Sequence, residues 1–150
     1  MDFKTAYSQK NNVSEVVKEL QQQMDGLLPK ALLCFASSQY DHTQLSQSLK
    51  SAFPQAVTFG ASTSGELVTG KMLDNSVVCM GFGENVIGDI IVETVSDLKV
   101  ADGVDQALGR FEKKLGKKMI ELDINQYFGF ILIDGLSGAE EKVIDRVSDL

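Results

Sequence analysis

The sequence predicts an α/β fold in which a layered mixed β-sheet is flanked by helices. Two observations support this fold class: segments with helical spacing alternate with short continuous apolar runs, and proline, glycine or asparagine residues separate them. The predicted order is α-β-α-β-(β)-β-β-α-β-α, and an α+β fold is the alternative. A length of 150 residues and an apolar content of 43% suit one globular domain with a sizeable core.

The first predicted helix is followed by a buried strand. Apolar side chains recur at helical spacing over residues 13–27, Asn12 and Glu15 resemble a capping pair, and Pro29 closes the helix. The continuous apolar run Ala31–Ala36 then predicts a strand that is covered on both faces.

A second helix and strand repeat this pattern. Asp41 is the expected N-cap, and Pro54 ends the helix. The apolar face of this helix consists of Leu45, Leu49, Ala52 and Phe53. Ala56–Phe59 is the next predicted strand.

The second half of the chain predicts a hairpin, a helix, a strand and a last helix. Ser76–Phe82 and Val86–Val95 are strand-like runs with only a short turn between them, which indicates a hairpin. Residues 102–115 have helical spacing, and Tyr127–Ile133 is the last predicted core strand. The apolar face of the last helix consists of Val143, Ile144, Val147 and Leu150.

The helix over residues 102–115 has signals at both ends. Asp102 is the expected N-cap, and Gly116 marks the stop. The lysines near its end are Lys113, Lys114, Lys117 and Lys118. Because cations complement the negative end of a helix dipole, we interpret this cluster as a helix-end feature rather than a binding patch.

The last helix reaches Leu150 without a C-cap glycine. In an alternating order, a helix with an apolar face normally leads back into a strand. We therefore expect the domain to be incomplete at its C-terminus, and a natural terminus with a docked helix is the alternative.

The segment after the second strand is the first candidate binding site. It carries two glycines, three hydroxyls and one carboxylate, namely Gly60, Ser62, Thr63, Ser64, Gly65 and Glu66. Glycine lets the backbone approach a partner closely, while hydroxyl and free N–H groups supply uncharged donors. Such a loop suits a small polar ligand. An ordinary turn whose hydroxyls satisfy local backbone groups is the alternative.

The run Asp134–Gly138 is the second candidate site. Asp134 and Gly135 stand between a predicted strand end and a helix start, where open α/β sheets place their ligands. Ser137 and Glu140 also match a capping box, which would occupy Ser137 in holding its own helix.

Composition disfavours several functional classes. The net charge is −7 and the basic residues form no long stripe, so neither nucleic acid nor an anionic membrane is an expected partner. No apolar stretch approaches the roughly 20 residues of a membrane helix, and the N-terminus lacks a secretory leader, so we expect a cytoplasmic protein. Cys34 and Cys79 lie in apolar runs without redox or metal-clip spacing and are expected to be buried, inert thiols.

Catalytic and metal-binding patterns are not evident. The single histidine, His42, falls at an exposed helix start, and no second histidine is present to activate a serine such as Ser137. The Asp and Glu spacings match no calcium loop, and the glycine pattern matches neither nucleotide-binding fingerprint. We therefore assign no catalytic residue and no metal ligand.

Two stretches resemble the FIST domain family. The first resembles the N-terminal part of the domain and comprises Ala31–Asp41, Leu45, Leu49, Phe53-Pro54, Gly60–Glu66 and Ser76–Val78. The second comprises Leu132–Gly138 with Glu140, Glu141 and Val143, and it is similar to the second signature of that family. Position 61, often cysteine in the family, is Ala61, which removes any thiol role there.

The resemblance implies a sensory domain, with residues 1–150 as a partial FIST N-like domain. FIST modules occur beside histidine kinases, chemotaxis transducers and cyclic-dinucleotide enzymes, and they are thought to bind small molecules such as amino acids. A haem-binding branch that responds to nitric oxide also exists. The family's N-terminal region would continue beyond residue 150.

The resulting hypothesis is a cytoplasmic domain that senses a small polar ligand without a cofactor and biases a signalling partner. Ser62 and Thr63 would bind through their hydroxyls, and Glu66 would contact an ammonium group. Asp134 and Gly135 would contribute if the two preceding strands lie side by side. The coupling would be a population shift, which requires unequal affinity for two conformations.

Three alternatives remain open at this point. One is a haem-based nitric oxide sensor of the same family, for which His42 is not the expected axial ligand. Another is a small hydrolase or transferase that uses Asp134 or Ser137. The third is a ligand-free adaptor that docks through a helix face.

Overall fold

The computed structural model describes residues 2–98 and 102–148 of the chain. The chain divides into two compact units, residues 1–90 and residues 91–150. The helices and strands of the first unit are β1 (Phe3–Ser8), α1 (Val13–Gln23), β2 (Ala31–Ser37), α2 (His42–Ala52), β3 (Val57–Thr63), β4 (Glu66–Val68), β5 (Lys71–Leu73) and β6 (Val77–Phe82). The second unit contains α3 (Gly103–Leu115), a short 3₁₀ turn (Met119–Glu121) and α4 (Glu140–Ser148).

A mixed four-stranded sheet forms the centre of the first unit. Its strand order is β1-β6-β2-β3. β2 and β3 are parallel, whereas β6 runs antiparallel to both of its neighbours. β4 and β5 form a separate two-stranded hairpin. The predicted mixed sheet with flanking helices is confirmed.

Both helices of the first unit pack on one face of this sheet. The core contains Val16 and Leu20 from α1 and Leu45 and Leu49 from α2. The sheet contributes Ala6, Leu32, Cys34, Ala36, Val77 and Cys79. Successive side chains of a strand point to opposite faces, and Leu33 and Phe35 between these positions are only partly buried. Within this unit, β2 is therefore covered by helices on one face rather than on both.

The predicted helix ends are largely confirmed. The Asn12 side chain accepts a hydrogen bond from the Ser14 N–H at 2.9 Å, and Asp41 accepts one from the Gln44 N–H at 2.9 Å. Gly116 ends α3 in the left-handed conformation with φ of 68°. Asp102 makes no side-chain cap, in contrast to the prediction. α1 ends at Gln23, earlier than predicted.

The strand β1 was not predicted, and it explains why the predicted hairpin does not form. β6 has β1 on one side and β2 on the other, so both of its edges are occupied. The segment 86–95 has no edge of β6 on which to pair, and it contains no strand. Only the Ser76–Phe82 half of the predicted hairpin becomes a strand.

The segment Tyr127–Ile133 is not a strand, contrary to the prediction. It has no regular secondary structure, and Phe128 and Phe130 are 82% and 54% exposed. An apolar run forms a strand only when another strand satisfies its backbone groups, and no strand of the described residues pairs with it. The last helix is confirmed as α4, although Ile144 is exposed and Leu150 lies outside the described residues.

Ion pairs connect α3 to the rest of the second unit. Glu93 lies 2.5 Å from Arg110 and 2.7 Å from Lys114. Hydrogen bonds from Lys114 and Arg110 lower the pKa of the Glu93 carboxyl. Lys118 pairs with Glu112 at 2.9 Å. Lys114 and Lys118 therefore both form ion pairs near the end of α3, and their role at the helix dipole stays a prediction.

Cys34 and Cys79 form a disulfide, so the prediction of free thiols is wrong. The two residues face each other across β2 and β6, with 4.2 Å between their Cα atoms. Both are buried, as predicted. The two cysteines are 45 residues apart in the sequence, and only the register of β2 and β6 brings them into contact.

No helix among the described residues is long and apolar enough to cross a membrane.

Candidate functional site

The predicted glycine-hydroxyl loop is mostly strand. β3 continues through Thr63, so Gly60, Ser62 and Thr63 are paired with β2, and only Ser64 and Gly65 form a turn before β4. A Cβ at Gly60 would overlap the carbonyl oxygen of Cys34. Glycine at position 60 is therefore required by the close approach of two strands.

The carboxyl ends of β2 and β3 lie side by side. Ser37, the last residue of β2, is the register partner of Thr63, the last residue of β3. Ser76, immediately before β6, joins the same edge because its carbonyl accepts a hydrogen bond from the Ser37 N–H at 2.9 Å. This is the edge at which open α/β sheets bind ligands.

The Glu66 side chain is buried at this edge and is 2% exposed. Its Oε1 accepts a hydrogen bond from the Thr63 hydroxyl at 2.6 Å. Its Oε2 accepts hydrogen bonds from the Ser76 hydroxyl at 2.6 Å and from the Ser76 N–H at 3.2 Å. All of these donors are uncharged, and no ion pair to Glu66 occurs within residues 2–98 and 102–148.

Tyr40 is buried within the electrostatic influence of this carboxyl group. Its hydroxyl lies 2.8 Å from the carbonyl oxygen of Lys10 and 3.0 Å from that of Asn75. Burial raises the pKa of Tyr40, and the negative charge of Glu66 raises it further. The phenol therefore remains a donor. We call Ser37, Tyr40, Thr63, Glu66 and Ser76 the carboxyl-edge cluster.

The remaining predicted residues of the first unit lie at the surface around this cluster. Gly60, Ser62, Ser64 and Gly65 are all exposed. Their exposure leaves the Ser62 and Ser64 side chains accessible to a molecule that approaches the carboxyl edge.

His42 also lies near the carboxyl edge. It is exposed at the start of α2, and its Nε2 lies 3.2 Å from the Ser37 carbonyl oxygen. A hydrogen bond at this distance requires the proton on Nε2, because a carbonyl oxygen only accepts. Its role in haem binding stays untested.

The second predicted site belongs to the second unit and forms a self-contained turn. The Asp134 Oδ1 accepts a hydrogen bond from the Leu136 N–H at 2.9 Å, and the Asp134 carbonyl accepts one from the Ser137 N–H at 2.9 Å. Asp134 and Gly135 are exposed, and no strand precedes them. The condition of two adjacent strands is therefore not met. A ligand role for Asp134 and Gly135 stays a prediction.

Ser137 does not form the predicted capping box with Glu140. α4 begins at Glu140 itself, so Ser137 stands too far before the helix to be its N-cap. The Ser137 Oγ instead accepts a hydrogen bond from the Ala139 N–H at 3.3 Å. This contact belongs to the local turn.

Sequence reasoning missed three members of the carboxyl-edge cluster, namely Ser37, Tyr40 and Ser76. Ser76 stands directly before an apolar strand and Ser37 directly after one, and polar residues at strand ends were the available signal. The contact of Ser76 with Glu66 depends on sheet pairing. No cluster of metal-ligating side chains occurs in the part of the chain that the structure describes.

The chain also matches a known protein family. The model of the FIST N domain matches residues 30–150, which include the whole carboxyl-edge cluster. The chain belongs to the FIST N domain family. FIST domains are associated with sensing in signal transduction, and the family is not a known enzyme family. No curated protein matches the chain.

Proposed function

We propose that this FIST N domain binds a small polar molecule at the carboxyl edge of β2 and β3 and reports its presence to a signalling protein. The family association supports a sensory role. The carboxyl-edge cluster supports the proposed position of the binding site, because residues at the ends of β2 and β3 and at the start of β6 lie together there.

The burial of Glu66 without a cationic partner among residues 2–98 and 102–148 is the observation that carries this proposal. A buried carboxylate is costly unless it is paired, and Thr63 and Ser76 supply only neutral donors. A ligand ammonium group would provide the missing counter-charge. A ligand with an ammonium group and a polar remainder, such as an amino acid, fits this cluster and the exposed hydroxyls of Ser62 and Ser64.

Glu66 also offers a way to transmit binding. It is the first residue of β4, so its hydrogen bonds to Thr63 and Ser76 tie the β4–β5 hairpin to the sheet edge. A ligand that competes for Glu66 would change the position of this hairpin. The response is a population shift, because the ligand binds the two hairpin positions with different affinity.

The hairpin carries a surface suited to an output partner. Leu67 and Met72 face each other across β4 and β5 and are 73% and 79% exposed. We propose this apolar pair as part of the contact with that partner. The proposed partner is a cytoplasmic signalling protein such as a histidine kinase, a chemotaxis transducer or a cyclic-dinucleotide enzyme.

A thermal-shift screen against amino acids and related metabolites tests the proposal. A ligand present at about 100 times its dissociation constant adds about 2.7 kcal/mol to the free energy of unfolding. A positive compound is then titrated calorimetrically into Glu66→Gln. We expect binding to weaken by about 1.5 to 3 kcal/mol, because a charge-assisted contact is lost.

The control is Glu84→Gln, which removes an exposed carboxylate of the same unit. Glu84→Gln should leave affinity unchanged. Glu66→Gln should also lower the free energy of unfolding by about 1 to 3 kcal/mol, because the amide group cannot accept from all three donors. Binding is therefore measured at a temperature at which both variants are folded. Undiminished affinity in folded Glu66→Gln would end the case for Glu66 as a ligand contact.

A further inference from the structure

The β4–β5 hairpin is attached to the rest of the first unit through side chains. Its two strands pair only with each other, and no backbone hydrogen bond joins residues 64–74 to another segment within residues 2–98 and 102–148. A two-stranded hairpin is marginally stable in water by itself. The position of this hairpin therefore depends on side-chain contacts at its two ends, which we call the root and the tip.

The root of the hairpin is held at the carboxyl edge. Glu66, the first residue of β4, accepts hydrogen bonds from Thr63 and Ser76. Leu73, the register partner of Glu66 on β5, is buried with 6% exposure. Both ends of the hairpin at the root are thus fixed by buried side chains.

The tip of the hairpin contacts β1 through Lys71. The Lys71 Nζ donates a hydrogen bond to the Tyr7 hydroxyl and lies 4.5 Å from the centroid of the Tyr7 ring. Alternate residues of a strand share a face, so Lys71 lies on the same face of the hairpin as Leu73 and its partner Glu66. One face of the hairpin therefore carries both the contact at the root and the contact at the tip.

Tyr7 is a fixed point for this contact. Its N–H donates a hydrogen bond to the Gln23 Oε1 at 3.1 Å, and the Gln23 Nε2 donates one to the Tyr7 carbonyl at 2.7 Å. Gln23 is the last residue of α1, and Tyr7 also pairs with Val78 of β6. Because both neighbours hold Tyr7, the hairpin is the part that moves when the contact breaks.

We propose that the contact between Lys71 and Tyr7 is a latch that keeps the hairpin closed and so controls how often Glu66 leaves the carboxyl edge. Each strand of the hairpin has only three residues, so its tip and its root move together. Opening then breaks the latch as well as the hydrogen bonds of Glu66. A cation at an exposed tyrosine ring changes such an equilibrium about two- to fivefold.

The role of the latch in sensing rests on the proposed function, whereas the latch itself does not. A ligand that requires the open hairpin pays for opening out of its affinity, so loss of the latch would tighten its binding. Opening can be measured without any ligand. The latch can therefore be confirmed even if no ligand is found, and it can fail even if one is.

Hydrogen exchange of the Ser76 amide, followed by NMR without ligand, tests the latch. This N–H is buried and donates to the Glu66 Oε2 at 3.2 Å, so it exchanges when Glu66 leaves. Lys71→Met keeps the length of the side chain but removes the charge, and it should speed this exchange about two- to fivefold. The amides of β2, which report unfolding of the sheet, should keep their rates.

The matched control is Lys50→Met, which removes an exposed lysine of α2 and should leave the Ser76 rate unchanged. Tyr7→Phe removes the hydroxyl but keeps the ring, so it should speed the exchange less than Lys71→Met does. The double variant Lys71→Met, Tyr7→Phe should match Lys71→Met alone, because the contact is already broken.

Three results would overturn the proposal. One is a Ser76 amide that exchanges no faster than the amides of β2 in the parent chain, since the hairpin would then open only together with the sheet. Another is an equal effect of Lys71→Met and Lys50→Met on the Ser76 rate. The third is a double variant in which the effects of Lys71→Met and Tyr7→Phe add, which would show that the two side chains act independently.

Discussion

Glu66 has a structural role at the sheet edge, and we propose that it also contacts the ligand. Its carboxyl group holds the end of β3 and the start of β6 through Thr63 and Ser76. The same group lacks a charged partner among the described residues, which leaves it a suitable acceptor for a cationic ligand. The negative charge of Glu66 contributes to the raised pKa of Tyr40, after burial.

The pKa of Tyr40 leads to a prediction for alkaline pH. Because the folded-state pKa is raised, the stability that the neutral phenol contributes is fully present below the unfolded pKa of about 10. That contribution is lost as the pH rises through the folded-state pKa. Chemical denaturation at several alkaline pH values should show a steeper loss of stability in the parent chain than in Tyr40→Phe.

Glu66→Gln provides the check on the cause. Removing the negative charge should move the phenol titration of Tyr40 to lower pH, because the charge contributes to the raised pKa. The titration can be followed by the absorbance of the phenolate. An identical titration in Glu66→Gln would show that burial alone raises the pKa.

At the scale of elements, the disulfide between Cys34 and Cys79 fixes β2 against β6. These strands form the middle of the sheet, and β2 also carries β3. Disulfides persist in oxidising compartments and are rare in the cytosol. The predicted cytoplasmic location and this bond therefore make different predictions about the thiols of the native protein.

We expect reduction of the disulfide to destabilise the first unit. A cross-link that closes a loop of this length, with a sequence separation of 45 residues, contributes about 4 kcal/mol in the chain-entropy account. Denaturation with and without reductant should show a difference of this size. The double variant Cys34→Ser, Cys79→Ser should not respond to reductant.

The state of the thiols is measured separately. Alkylation during cell lysis, followed by mass analysis of the intact chain, counts the free thiols. Two modified cysteines would contradict the presence of the disulfide in the cell. Unmodified cysteines would contradict a reduced cytoplasmic form.

At the scale of the whole molecule, apolar residues are distributed unevenly over the two units. The first unit contains the sheet and its buried core. In the second unit, an apolar run is exposed instead, namely Tyr127, Phe128, Phe130, Ile131 and Leu132. An exposed run without regular structure is a preferred site of proteolysis.

Limited proteolysis with chymotrypsin should therefore cleave first after Phe128 or Phe130. Phe53, which is only 8% exposed in the core of the first unit, serves as the internal comparison. Mass analysis of early fragments identifies the first cut. Initial cleavage after Phe53, with Phe128 and Phe130 protected, would contradict the described exposure.

The sequence by itself determined the two helices of the first unit and the family. Helical spacing placed α1 and α2, because a buried helix face needs apolar residues at that period. Asn12 and Asp41 marked the helix starts, since their side chains accept from free N–H groups nearby. The glycine and hydroxyl residues before Glu66 carried the FIST resemblance, which the family match confirms.

Tertiary structure alone decided which strands pair, and pairing in turn decided the site. β1 pairs with the edge of β6 that the predicted hairpin required. Tyr127–Ile133 has no strand partner among the described residues. Sheet register also brought Cys34 to Cys79 and Ser76 to Glu66. Helix signals lie within a few residues of one another, whereas strand partners are distant in sequence. The residues that contact Glu66 and the state of the cysteines therefore became visible only in the folded sheet.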